Sequence, residues 1–89
     1  RDVIARGGQW LDVRLPSEFE TGHPPGAINI PLYFIRLKMK TLDRSLPYVV
    51  VCDTGRRSSA AAFLLSERGF DATCLRGGLI ANSMGPGDA

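Results

Sequence analysis

Histidine and cysteine are nearly missing from this chain: His23 is the single histidine, and Cys52 and Cys74 are the two cysteines, in 89 residues. So small a set holds no tetrahedral metal cluster, and two well-separated cysteines make no disulfide framework. No apolar run approaches the length of a membrane span, and no secretory leader pattern opens the chain. Charge of one sign is also scarce. A formal balance of +2 is too small to imply a nucleic acid or a membrane surface as partner. With 44% apolar and 22% charged residues the chain reads as one small globular domain, and unpaired cysteines suit a reducing, cytoplasmic compartment. Residues 1–8 resemble the tail of a helix already under way. The expectation is a module fused to something longer, with the domain over 1–84 and a linker-like tail over 85–89.

What is present centres on Tyr48-Val49-Val50-Val51-Cys52-Asp53-Thr54-Gly55-Arg56-Arg57-Ser58. A β-branched apolar run stops at a cysteine, short polar or glycine residues follow, and a helix opens near Ser58. A buried strand that runs through a tight loop into a helix gathers backbone N–H groups and the positive helix end around one point. Cys52 occupies that point, where the amides stabilise a thiolate. The competing reading is an inert buried cysteine, which is common. Gly55, free to adopt conformations other residues resist, and two arginines beside a thiol favour the nucleophile.

Around this centre strands and helices alternate. Trp10–Val13 reads as a strand carrying Asp12 and Arg14 at its C-terminal end. Ser17 and Glu20 have the capping-box spacing for a short helix. Gly22-His23-Pro24-Pro25-Gly26 turns the chain into a second strand over 27–30. Leu32–Leu42 suits either element. A helix is chosen, because parallel strands need a crossover and Ile35, Met39 and Leu42 share a helical face. Val49–Cys52 is a fully apolar central strand. The next helix has Ala61, Leu64 and Leu65 on one face and ends at Gly69, with Phe70 folding back. A fourth strand over 71–75 and a Gly77-Gly78 turn complete the pattern. The class is α/β with a parallel sheet and right-handed crossovers. Cys74 is expected to be a buried strand residue and His23 a structural one.

Cys52-Asp53-Thr54-Gly55-Arg56-Arg57 resembles the Cys-x-x-Gly-x-Arg active loop of the rhodanese family of sulfurtransferases, with Ser58 at the helix start. Leu11-Asp12-Val13-Arg14 with Glu18-Phe19 is similar to the family's first motif. The stretch from Gly22 to Pro31 resembles its second, and Arg68-Gly69-Phe70 with Leu75-x-Gly77-Gly78 its closing segment. Asn82 stands where many relatives have tryptophan. The resemblance implies a three-layer fold, a mostly parallel sheet of four to five strands with helices on both faces.

It also implies a double displacement: Cys52 takes sulfane sulfur from a small anionic donor such as thiosulfate, becomes a persulfide, and passes the sulfur to a thiol or to cyanide. Neither metal nor organic cofactor is implied. Asp53, Thr54, Gly55, Arg56, Arg57 and Ser58 would hold the persulfide and attract the donor, with Asp12 and Arg14 in support. The alternative is a persulfide-sensing or interaction module of a larger regulatory protein. Cys52 to Arg57 spans a Cys-(x)4-Arg loop, one residue shorter than the Cys-(x)5-Arg loop of the related dual-specificity phosphatases, which decides against that activity, since the shorter loop suits one sulfur better than a tetrahedral anion. The loop does not match the Cys-Gly-Ser/Ala-Gly-Val-Thr pattern of mercaptopyruvate sulfurtransferases.

Overall fold

The computed structural model describes residues 2–82. The proposed tail over 85–89 lies outside them. Four parallel strands, β1 (Gln9–Asp12), β2 (Ile28–Asn29), β3 (Tyr48–Val51) and β4 (Ala72–Cys74), form one sheet in the order β2-β1-β3-β4. Helices α1 (Asp2–Ala5), α2 (Pro16–Glu20), α3 (Ile35–Lys38), α4 (Arg56–Glu67) and α5 (Gly78–Ala81) connect or flank them. None is long and apolar enough to cross a membrane.

Side chains along a strand alternate between faces, so the apolar run 48–52 feeds two cores at once. Tyr48, Val50 and Cys52 join Leu11, Val13, Ile35, Ala61 and Leu65 in the larger core, under α3 and α4. Val49 and Val51 join Trp10 and Leu79 in the smaller one, with Val3 and Ile4 of α1 packed against it. Three layers result, with β3 at the centre.

Several local expectations are corrected. The capping box lies two residues earlier than Ser17 and Glu20. Pro16 takes the first helical position, where its missing N–H costs nothing, and the Glu18 Oε1 accepts the Leu15 N–H at 2.9 Å. Leu15 has no oxygen to complete the reciprocal half. The crossover over 32–42 is helical but segmented: a 3₁₀ turn over Leu32–Phe34, one α turn, and a 3₁₀ turn over Met39–Thr41. Ile35, Met39 and Leu42 are all buried, as their shared face requires. Helix α4 opens at Arg56 rather than Ser58. It ends as anticipated, with Gly69 at φ 87° and the Phe70 N–H donating to the Leu65 carbonyl at 3.1 Å.

Cys74 is exposed, not buried. It lies on β4, the edge strand, where no further strand among the described residues covers it. His23 stacks on Phe19 with ring centroids 3.6 Å apart, and its Nδ1 lies 2.8 Å from the Phe19 carbonyl. A carbonyl only accepts, so Nδ1 carries the proton.

Candidate active site

Where β3 ends, the backbone turns sharply around one sulfur. The Gly55 N–H donates to Cys52 Sγ at 3.0 Å and the Ser58 N–H does so at 3.4 Å. Ser58 Oγ stands 3.5 Å from the same sulfur as acceptor of the thiol hydrogen, and passes its own hydrogen to the Gly55 carbonyl at 3.1 Å. The sequence permits this turn because Gly55 sits at φ 99°, in the left-handed region that a side chain resists, immediately before α4 begins. Two amides and the start of a twelve-residue helix therefore face the sulfur, an arrangement that stabilises an anion there. Cys52 has no exposed surface at all. A reagent reaches it only when the loop yields.

The loop is held from two sides. From below, the N-terminus of α5 donates into it: the Leu79 N–H to the Cys52 carbonyl at 2.8 Å, and the Ile80 N–H to the Asp53 carbonyl at 3.0 Å. Gly78 makes that approach possible. A β-carbon there would collide with the Asp53 carbonyl group and stand 2.7 Å from the Gly55 nitrogen. Asn82 fastens the same segment by donating to the carbonyls of Arg76 and Gly78, each at 2.8 Å.

From the side, Arg57 bridges two carboxylates. Its Nη1 and Nη2 donate to Glu18 Oε1 at 2.7 Å and Oε2 at 3.0 Å, a bidentate pair, and Nη2 also lies 3.1 Å from Asp53 Oδ1. Hydrogen bonding to Arg57, then to the Leu15 amide, holds the Glu18 carboxyl at about 2. Asp53 is resisted by burial, yet hydrogen bonds from Arg57 and the Thr54 amide leave its carboxyl below the ordinary value. The charge of Arg57 is thus matched within the protein. Of the two loop arginines, Arg56 is the exposed one and lines a cleft with Thr54 and Gly55.

Asp12 and Arg14 pair with each other rather than with the loop. Asp12 is fully buried and accepts from Arg14 Nε at 3.0 and 3.1 Å, from its Nη2 at 2.7 Å and from its backbone N–H at 3.0 Å. The Arg14 Nη2 also donates to the Gly22 carbonyl at 2.7 Å, tying β1 to the turn before β2. Their role is to fix the scaffold. Sequence reasoning missed two contributors, Glu18 and Gly78. In the sequence Glu18 stands out only as part of a motif and Gly78 only as part of a turn; the glutamate's place three residues after Leu15, with proline between, is the available signal for the first.

The Rhodanese-like domain family matches residues 2–81. Thiosulfate sulfurtransferase PspE of Escherichia coli is 39% identical over 72 residues, which are 79% of this chain and 69% of that protein. A rhodanese-related protein from Thermoplasma volcanium has a similar structure, with a TM-score of 0.83 and 36% identity over 92% of this chain and 84% of that one. An NAD-dependent persulfide reductase from A. fulgidus is similar at a TM-score of 0.74 and 32% identity, covering 86% of this chain but 14% of its own length.

Proposed function

Since the chain belongs to the rhodanese-like family, we propose that it moves sulfane sulfur from a small anionic donor of the thiosulfate type to a thiol, or to cyanide in an assay, through a persulfide on Cys52. Relatives named sulfurtransferases carry a sulfur-transfer role at the level of the family. The observation that carries the finer reading is the pair of N–H groups, from Gly55 and Ser58, aimed at one sulfur.

The Cys52 thiolate attacks the outer sulfur of thiosulfate. A new S–S bond forms, the old one breaks, and sulfite departs with its electron pair. The acceptor thiolate or cyanide then attacks the outer sulfur of the persulfide, and the Cys52 thiolate leaves with the pair. Nothing is left over in atoms or electrons. One hard transfer becomes two easier ones, and amides fixed beforehand stabilise the anion at each stage. Arg56 is the loop residue suited to draw in the donor, while Arg57, tied to Glu18 and Asp53, keeps the loop in shape. Both cysteines being free suits a reducing, cytoplasmic setting.

The complete burial of Cys52 favours a second reading beside the first. A persulfide that is sheltered rather than turned over would act as a store or signal, within a longer protein of which this is one module. Sulfite release from thiosulfate with cyanide as acceptor distinguishes the two. Steady turnover in the wild type, reduced to the reagent background in Cys52→Ser, supports the enzyme. Equal rates in the two proteins remove it, and one slow turnover leaving a stable persulfide favours the store.

A further inference from the structure

Beside the active loop, but not lined by Cys52, lies a cleft of about 630 Å³, a size that takes a small organic molecule. Arg56 and Arg76 stand on its walls, no carboxylate among the described residues lines it, and the exposed thiol of Cys74 opens into it. A cavity with charge of one sign concentrates ligands of the other. The thiol is not placed to bridge Cys52. Cys74 is the register partner of Val50, so Cys52, two residues further on, lies about 8 Å away in the neighbouring strand, beyond the reach of a disulfide without backbone movement. A partner for Cys74 must come from outside.

Cys74 is nonetheless wired to the loop. The Ser59 hydroxyl has one hydrogen and gives it to the Gly55 carbonyl at 2.7 Å. The Cys74 S–H therefore points at Ser59 Oγ, 3.6 Å away. The same Gly55 supplies the N–H on the Cys52 sulfur. A group placed on Cys74 would abolish that S–H contact and press on Thr54, Gly55 and Arg56.

We propose that this cleft binds low-molecular-weight disulfides bearing carboxylates, and that Cys74 exchanges with them to form a mixed disulfide that slows sulfur transfer at Cys52. Cys74 loses its proton to solvent and attacks one sulfur of the disulfide. The Cys74–S bond forms, the ligand's S–S bond breaks, and the departing thiolate carries away the electron pair. The disulfide is the oxidant, and any free thiol reverses the step. Arg56 and Arg76 hold the carboxylates during exchange. The effect on sulfur transfer rests on the function proposed above; the exchange itself does not.

Oxidised glutathione, an anionic disulfide, and cystamine, a cationic one, are the probes, with tryptic peptides read by mass. Cys74 falls in the peptide 69–76, which becomes 69–89 in Arg76→Ala because residues 77–89 hold no Lys or Arg, and Cys52 falls in 45–56, so the two thiols are scored separately in both proteins. Oxidised glutathione is expected to place one glutathionyl group on 69–76. In Arg76→Ala that reaction becomes about tenfold slower, as loss of a focusing charge implies, whereas the cystamine reaction does not slow. Labelled wild type loses sulfur transfer and recovers it with dithiothreitol, while Cys74→Ser transfers sulfur normally and ignores the reagent. No adduct on Cys74, or equal glutathione rates in wild type and Arg76→Ala, overturns the cleft. An adduct that leaves transfer unchanged overturns the regulation. Inactivity of unlabelled wild type would instead count against the proposed function, and the adduct measurement would still decide the cleft.

Discussion

Cys52 owes its proposed role to neighbours that differ in kind, some facing the sulfur and some holding the shape. Asp12 and Arg14 belong to the second kind, and their energetics follow from burial. Removing one partner of a buried pair strands the other charge, so Arg14→Ala is expected to destabilise the fold by about 3–5 kcal/mol, read as a lower denaturation midpoint in urea. Asp12 would then be left with a fraction of its partners in a fully buried site. A loss below about 1 kcal/mol would mean that the pair contributes as little as an exposed one. Glu18 makes a different prediction. Its folded carboxyl titrates at about 2 against an ordinary 4.5, so the stability it contributes is complete above the higher value and is lost as pH falls toward the lower. The clamp is about one-third exposed at both Arg57 and Glu18, and screening limits it to about 1 kcal/mol. Urea midpoints measured from pH 6 down to about pH 2 should decline less in Glu18→Gln than in the wild type; parallel curves would show that Glu18 carries no such linkage.

At the scale of elements, the loop proposed to act is a strand end, a glycine and a helix start, fastened by α2 and α5. Gly78→Ala forces a β-carbon into the Asp53 carbonyl and the Gly55 nitrogen, so the loop must retreat. Displacement of reacting groups by about 1 Å costs roughly 10²-fold, and sulfite release should fall by about that factor with the far-ultraviolet circular dichroism unchanged. Unaltered turnover would show that α5 does not set the loop. The clamp on the other side makes a complementary prediction. Cys52 is buried and Cys74 exposed, so iodoacetamide should alkylate Cys74 first, and Glu18→Gln should speed the slower reaction at Cys52. Equal rates at both thiols in the wild type would contradict the burial.

These elements also show what the chain disclosed and what it withheld. The apolar run 48–52 announced a central strand, and Gly55 after Cys52 announced the turn, because each depends on neighbours within a few residues. The burial of Ile35, Met39 and Leu42 was legible from spacing, but the break of that crossover into 3₁₀ and α turns was not, since packing against the sheet decides it. Ser17 reads as the cap from sequence because its hydroxyl can accept a backbone N–H and Glu20 follows three residues later. Pro16 prevailed, its ring already set for the first turn. The Glu18–Arg57 bridge joins residues far apart in sequence, and nothing local to either names the other. Cys74 was misjudged because its exposure follows from the order β2-β1-β3-β4, which puts β4 at an edge.

Across the whole molecule, one central strand serves both packing and the proposed chemistry. Alternation along β3 fills the core beneath α3 and α4 with Tyr48 and Val50 and the opposite core with Val49 and Val51. The next residue on the first face is Cys52, so the core that stabilises the sheet also positions the sulfur and shields it from solvent. The clearest test of this account is the mass of the peptide 45–56 after the protein is exposed to thiosulfate. The expected result is a gain of one sulfur atom on that peptide in the wild type, removed by cyanide and absent in Cys52→Ser. A peptide that stays at its original mass, or an added sulfur found on Cys74 instead, would contradict it.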